Sequence, residues 1–132
     1  MKKILSMLAF VLVIFSANFC SAYKYDNDTN YIYIGTYGSG GYSTYIYRPS
    51  VSVQEYNPPH YQISCNTVTI GGKWEISETW FQETFRYNWY TKESFYRDAY
   101  GNWERPDDSP LDYHKKMANE LFRAAYGMNF YN

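Results

Sequence analysis

The sequence predicts an α+β fold: an antiparallel β-sheet of about five to six strands with one C-terminal α-helix packed on one face. Two patterns in the 132 residues support this fold class. Apolar and polar residues alternate over several stretches that glycine or proline turns separate, which is typical of antiparallel strands. A single amphipathic helical pattern follows the last stretch, and a lone helix after a run of strands is expected to cover one sheet face.

An apolar leader precedes the predicted domain. Two lysines are followed by the apolar run Ile4–Phe15, which is too short to cross roughly 30 Å of hydrocarbon as a mature helix. Small residues end at Ala22, so we predict a signal peptide over 1–22, export of the chain, and no stable membrane span after cleavage. The alternatives are an uncleaved anchor and a lipoprotein acylated at Cys20.

The first strands are predicted after a polar stretch. Residues 23–30 are expected to be a flexible segment leading into a single domain over 31–132. Alternation from Tyr31 to Tyr37 places the tyrosines and Gly35 on one strand face, with the two isoleucines between them on the other. Gly38-Ser39-Gly40-Gly41 favours a hairpin into a strand over Tyr42–Tyr47, which Pro49 is expected to interrupt. A short strand at Val51 and Val53 is expected to follow and to end at Asn57-Pro58-Pro59, since proline cannot donate to a sheet ladder.

The middle strands show a change of phase. Apolar residues occupy odd positions up to Cys65 and even positions at Val68 and Ile70, which predicts a bulge near Asn66. After the Gly71-Gly72 turn, the long stretch 73–90 changes phase in the same way. We therefore expect this strand to bend or break near Trp80-Phe81. A further strand is expected around Phe95 and Tyr96.

The C-terminal helix has the clearest end signals. Ser109 is expected to cap it, Pro110 suits its first position, and Gly127 is a natural residue just past its end. Met128 is then placed to pack back on the last turn. The predicted apolar face is Leu111, His114, Met117, Ala118, Leu121, Phe122 and Ala125.

Aromatic residues dominate the composition after the leader. That part of the chain has 26 aromatic residues and only 11 Leu, Ile and Val residues. Rings must therefore supply much of the core, and their number exceeds what one helix-covered sheet face readily holds. We expect the surplus to form an exposed contact surface, while packing alone is the alternative explanation. From alternation, the candidate binding residues are Tyr33, Tyr45, Tyr47, Trp89 and Tyr96.

The sequence points to no catalytic, metal or cofactor site. The 110 residues after the leader carry a net charge near −3, with 10 basic and 13 acidic residues, which argues against nucleic-acid binding. No catalytic motif, zinc-type spacing or phosphate loop is present. Glu75, Glu78 and Glu83 are candidate paired carboxylates, but the first two face opposite sides of a strand. Cys65 is the one cysteine left, and a buried thiol is the default expectation.

Several short runs resemble those of known exported proteins. With its leader, a strand containing Tyr33-Ile34-Gly35, a sheet and a C-terminal helix, the chain resembles the surface-adhesin protein E group. The runs Tyr56–Tyr61 and Ala124–Tyr131 resemble those of uncharacterised exported proteins of anaerobic bacteria. The resemblance implies an envelope-associated binding role. The adhesins often carry two cysteines, whereas only Cys65 remains here, so the resemblance transfers no binding residues.

Three functional hypotheses follow from the sequence. The first is an exported, non-enzymatic binding module of the envelope or the medium that contacts an unknown protein or glycan through exposed rings. The second is a secreted inhibitor or assembly subunit that binds a partner through a sheet edge. The third is a small hydrolase that uses acidic residues. Export and the aromatic surplus favour the first hypothesis.

Overall fold

The computed structural model describes residues 25–38, 41–107 and 113–131. The predicted signal peptide at 1–22 lies outside the described residues. The described residues form one six-stranded sheet in the order β1-β2-β3-β4-β5-β6, in which every neighbouring pair is antiparallel. One C-terminal helix packs on this sheet, so the predicted α+β fold is confirmed. The elements are β1 (Tyr31–Tyr37), β2 (Tyr42–Asn57), β3 (His60–Gly71), β4 (Ser77–Asn88), β5 (Glu93–Arg97), β6 (Trp103–Glu104) and α1 (His114–Tyr126).

Short turns join consecutive strands where the sequence predicts them. Gly38 and Gly41 have φ values of 78° and 67° and flank the turn between β1 and β2. Gly71 ends β3 with φ of 150°, and a Cβ atom there would lie 2.4 Å from the carbonyl oxygen of Gly41. The first hairpin therefore packs closely against the end of β3, which only glycine permits.

Strands β3 and β4 pair without interruption from His60–Asn88 to Gly71–Ser77. The predicted bulge near Asn66 and the predicted bend near Trp80-Phe81 are therefore both wrong. The phase change has another cause: both faces of the sheet carry buried apolar residues. Cys65 belongs to the core under α1, whereas Val68 belongs to a second buried cluster. A straight strand that enters two cores on opposite faces must change its apolar phase.

The irregular pairing lies at β2 instead. The β1–β2 register shifts between Tyr33 and Gly35, and this bulge turns Tyr37 to the helix side, where its ring lies 5.4 Å from that of Tyr113. The expectation that Tyr33 and Tyr37 share a face is therefore wrong. The β2–β3 register also shifts between Tyr47 and Ser52, close to Pro49, which interrupts the ladder as expected.

The main core lies between the sheet and α1. Helix residues Met117, Ala118, Leu121 and Phe122 are buried, as predicted. They pack with a set of buried residues from β1 to β4 and from the C-terminal segment. This set is Ile34, Ile46, Ile63, Cys65, Phe85, Tyr87 and Phe130.

The ends of α1 agree with the sequence in part. Gly127 is left-handed with φ of 74°, and its N–H donates to the carbonyl of Arg123 at 2.7 Å, as a C-terminal glycine should. The helix begins at His114 after Tyr113, which has no side-chain capping bond. The predicted start at Ser109 and Pro110 lies outside the described residues.

The chain beyond α1 packs differently from the prediction. Met128 is 51% exposed, whereas Phe130 is fully buried, so the expectation that Met128 packs on the last turn is wrong. The side-chain oxygen of Asn119 accepts the N–H groups of Phe130 and Tyr131 at 2.8 and 3.0 Å. These two bonds hold the segment against the helix and direct the Phe130 ring into the core.

Candidate functional site

The face of the sheet opposite α1 carries the features that suggest binding, and we call it the helix-free face. Its residues follow from strand register, because paired residues point to the same side. Tyr33 pairs with Tyr45, Tyr45 with Val68, and Val68 with Trp80. These four residues form a row across β1 to β4. Adjacent rows carry Tyr31 and Tyr47 on one side and Glu78 on the other.

Six aromatic side chains meet at one end of this face. Tyr47 and Trp80 lie 5.8 Å apart between ring centres in an edge-to-face arrangement. Tyr31 lies 5.2 Å from Tyr47 and 6.4 Å from Trp80, and Tyr33 lies 5.5 Å from Tyr45. Such spacings stabilise ring pairs beyond simple burial. We call this set the aromatic cluster: Tyr25, Tyr31, Tyr33, Tyr45, Tyr47 and Trp80.

The segment before β1 is part of the cluster. Tyr25 is 7% exposed and its ring lies 4.0 Å from that of Tyr31. Its hydroxyl donates to the Glu78 carboxylate at 2.6 Å, and the same carboxylate oxygen accepts from the indole N–H of Trp80 at 3.0 Å. Asp26 accepts from the Tyr45 hydroxyl at 2.5 Å. Tyr25 and Asp26 of the predicted flexible segment therefore contact the sheet, while residues 26–30 are exposed to solvent.

Some rings of the aromatic cluster are buried, and others are exposed to solvent. Tyr45 is 1% exposed, and burial together with its bond to Asp26 raises the pKa of its hydroxyl well above the ordinary value. Tyr33 and Trp80 are 47% and 45% exposed, while Tyr31 and Tyr47 are half-buried. The neighbours hold both exposed rings in place, so the cluster offers a preorganised surface on which a ligand can stack.

The five candidate binding residues do not form one surface. Tyr33 and Tyr47 lie in the aromatic cluster and reach solvent. Tyr45 also lies there but is buried beneath Tyr25 and Tyr33, so the expectation that it is exposed is wrong. Alternation identifies the face of a strand, but it cannot show what covers that face.

The other two candidates lie on the helix side of the sheet. Trp89 stacks on Phe122 with ring centres 5.5 Å apart. Tyr96 stacks on His114 at 3.6 Å, with the two planes 3° apart. Both residues are half-buried and pack against the main core. Their expected place in an exposed contact set with Tyr33 is therefore wrong.

Sequence reasoning missed three members of the cluster: Tyr25, Tyr31 and Trp80. Trp80 could have been found, because the phase change in β3 and β4 begins at Val68 and Trp80. Tyr31 follows from alternation, since it shares a face with Tyr33. The sequence gives no indication of the role of Tyr25, because this residue lies in a polar stretch and its partner Glu78 is 53 positions away in the chain.

The other end of the helix-free face carries a second site. A pocket of about 340 Å³ opens there. We call it the Arg86 pocket, and its side chains come from four strands. They are His60, Arg86, Asn88, Glu93, Phe95 and Trp103.

Glu78 and Glu83 do not face each other as a catalytic pair would. Glu78 and Glu83 lie five positions apart in β4 and so project from opposite faces. Glu83 pairs with Cys65 across β3 and β4 on the helix side. Burial raises the pKa of Glu83 from 4.5 to about 7 and that of the Cys65 thiol from 9.0 to about 12.

In the part of the chain that the structure describes, no three His, Cys, Asp or Glu residues are grouped to hold a metal ion. Over the same ranges, no helix combines the length and apolar character needed to cross a bilayer.

Comparison with protein-family models, with curated proteins and with solved structures finds no match for this chain. The resemblance to the surface-adhesin protein E group therefore stays a prediction. Function has to be inferred from the arrangement of side chains on the helix-free face.

Proposed function

We propose that this chain is an exported, non-enzymatic binding module that acts at the cell envelope or in the medium, as an adhesin does. Its contact surface is the helix-free face, and its partner is a glycan or a protein. The observation that carries the proposal is the aromatic cluster, in which Tyr33 and Trp80 remain about half exposed. Trp80 lies on the face that α1 does not cover, and Tyr33 lies at the β1 edge of that face, where Lys116 of α1 approaches to 5.5 Å from its ring centre. The predicted leader and the adhesin-like order of elements support export and an envelope role.

The arrangement of the rings supports binding more strongly than their number does. A ring that serves only packing gains most when it is fully covered, as Phe85 and Phe130 are. Trp80 instead keeps nearly half of its surface in water while its indole N–H is fixed by Glu78. Rigid, amphipathic rings of this kind give large contact area at a low cost in side-chain entropy.

A pair of tryptophan substitutions tests the proposal. Purified protein is screened against glycan arrays, host matrix proteins and cell-wall fragments, and hits are measured for Trp80→Ala and Trp74→Ala. Trp74 is 92% exposed, lies in the bend between β3 and β4 and packs on no ring of the aromatic cluster, so it matches the chemical change outside the cluster. We expect Trp80→Ala to weaken binding about tenfold or more and Trp74→Ala to leave it unchanged. Equal effects of the two substitutions, or silence across all three panels, would contradict the proposal.

A second candidate is a subunit or inhibitor that pairs with its partner through a sheet edge. The observation that favours it is the position of β1, a seven-residue strand at the end of the sheet order. Edge strands present backbone groups that can pair with another chain. A photoreactive side chain at the exposed Thr36 would then cross-link the partner, whereas the same probe at the exposed Thr91 would not.

A further inference from the structure

The Arg86 pocket contains a cation that is oriented but not neutralised. The guanidinium carbon of Arg86 lies 4.0 Å from the centre of the Trp103 ring. Its Nε–H donates to the side-chain oxygen of Gln62 at 3.1 Å. No carboxylate of the described residues lies within 4 Å of this guanidinium. Stacking and one hydrogen bond thus fix the group, while its two terminal nitrogens remain able to hold an anion with two oxygens.

The nearby acidic residues do not cancel this charge. Glu93 lines the pocket but forms an ion pair with Arg105 at 3.3 Å. Glu55 and Arg86 both line a neighbouring depression of about 230 Å³, but no ion pair within 4 Å joins their side chains. Arg86 is therefore the cation to which an incoming carboxylate would bind.

The other walls suit a sugar ring. Phe95 and Trp103 are half-buried and line the pocket. Arg86 lies over the Trp103 ring and Arg105 lies 5.7 Å from the centre of the Phe95 ring, so the uncovered parts of the two rings offer apolar surface to the C–H face of a pyranose. A volume of about 340 Å³ is at the small end of the roughly 300–1,000 Å³ typical of ligand pockets, which is room for a sugar residue of a longer chain.

Hydrogen-bonding side chains extend from the pocket toward the aromatic cluster. Gln62 donates to Gln54 at 2.7 Å, and Gln54 donates to the Ser64 hydroxyl at 2.9 Å. These side chains lie on the helix-free face between Arg86 and Trp80. Val68 lies six positions after Gln62 in β3, so the two sites are about 20 Å apart along the strand. An extended ligand could contact rings at one end, amides in the middle and Arg86 at the other end.

We propose that the Arg86 pocket binds the carboxylate of an acidic sugar within a polysaccharide that lies along the helix-free face. This inference rests on the proposed function and names its ligand class. A polypeptide that binds by strand addition fits less well, because it would bind through backbone hydrogen bonds at a sheet edge. The pocket lies on the face of the sheet, where recognition depends on side chains, and rings with amides suit the C–H faces and hydroxyls of sugars.

The first experiment changes only the ligand. Binding of the purified protein to oligogalacturonate is compared with binding to its methyl ester, which keeps the sugar ring and removes the charge. Hyaluronan and sialylated glycans extend the test to other acidic sugars, and dextran serves as a neutral glycan. We expect at least one acidic glycan to bind about tenfold or more tightly than its methyl ester, as a charge-assisted hydrogen bond would give.

The second experiment changes the protein. Arg86→Gln removes the cation, and Arg123→Gln is the matched control, because Arg123 is an exposed residue of α1. We expect Arg86→Gln to abolish the preference for the free acid over the ester and Arg123→Gln to preserve it. Urea midpoints of both variants show that each remains folded.

The outcomes separate this inference from the proposed function. If acidic glycans and their methyl esters bind equally, and Trp80→Ala weakens that binding, the carboxylate pocket is overturned but the proposed binding module is not. If Arg86→Gln lowers the affinity for the acid and the ester by the same factor, the carboxylate pocket is again overturned and the binding module is not. Polyglutamate that binds as tightly as the best acidic glycan and depends on Arg86 overturns the sugar assignment. If no glycan binds, the acidic-sugar inference is overturned. If no protein of the panel binds either, the proposed function is overturned as well.

Discussion

Cys65 and Glu83 face each other across β3 and β4 on the side of the sheet that packs against α1. The thiol is 1% exposed and the carboxyl is partly buried. Both groups therefore favour their neutral forms, and each charged form would cost free energy. This pair makes the stability and reactivity of the protein depend on pH in a predictable way.

Glu83 should make the protein less stable as pH rises from about 4.5 to about 7. Its pKa is 4.5 when unperturbed and about 7 in the folded protein, so the folded state holds the proton more tightly over this window. Unfolding then releases a proton, and the free energy of unfolding falls with rising pH by about 2–3 kcal/mol at most. Glu83→Gln cannot ionise and should be more stable than the natural chain at pH 8 and similar to it at pH 5.

Urea unfolding at the two pH values measures this difference. Glu75→Gln is the matched control, because Glu75 is exposed and outside the strands, and it should not change the pH dependence. If the free energies of unfolding of Glu83→Gln and the natural chain differ by the same amount at pH 5 and pH 8, then Glu83 ionises in the folded protein at little cost and the prediction is wrong.

Cys65 should resist thiol reagents in the folded protein. Its pKa is raised to about 12, mainly by burial and secondly by the charge of Glu83. Because the thiolate is the reactive form, labelling at pH 8 should require opening of the core. Peptide mapping after treatment with a maleimide should find Cys65 unlabelled in buffer and labelled in urea. Rapid labelling in buffer would place the thiol outside the core.

Tyr25 should contribute to stability although it precedes the first strand. Tyr25→Phe removes the hydroxyl that donates to Glu78, which should cost about 1.5–3 kcal/mol because the acceptor is a carboxylate. Tyr25→Ala also removes the buried ring and should cost more. Tyr42→Phe is the control, since Tyr42 is 42% exposed. Thermal or urea unfolding gives the comparison, and an unchanged midpoint for Tyr25→Ala would mean that residues 25–30 do not hold the sheet.

Phe130 and Met128 should differ sharply when each is replaced by alanine. Phe130 is fully buried, with its ring centre 4.9 Å from that of Tyr87 and 5.2 Å from that of Phe122. Phe130→Ala should lower the free energy of unfolding by about 3–5 kcal/mol. Met128→Ala should change it by less than about 0.5 kcal/mol, because Met128 is exposed. If Met128→Ala lowers the free energy of unfolding more than Phe130→Ala does, then Met128 and not Phe130 packs against the helix, as the sequence predicts.

Much of the fold could be predicted because its signals are local. Alternation and glycine or proline turns located the strands, and the spacing of Met117, Leu121 and Phe122 identified the helix face. Gly127 marked the helix end, since a left-handed residue there favours glycine. These signals need only neighbouring residues, so the fold class follows from the sequence.

The candidate site could be predicted only in part, because it depends on which residues are covered. Tyr33 and Tyr45 have the same residue type and point to the same face, yet one is 47% exposed and the other 1%. The difference comes from Tyr25, about 20 positions before Tyr45 in the chain, whose ring packs on the cluster. Trp89 and Tyr96 were misplaced for the same reason, since Phe122 and His114 cover them from α1.

The sequence by itself determined the approximate number of strands, the C-terminal helix and a dependence on aromatic rings, since backbone geometry and side-chain size act over short distances. Only the tertiary structure decided that β3 and β4 run straight between two buried clusters, and that Arg86 meets Trp103 beside Phe95. Both results depend on register between strands and on contacts between distant segments. Those contacts form when the whole sheet buries its apolar surface, and no local pattern records them.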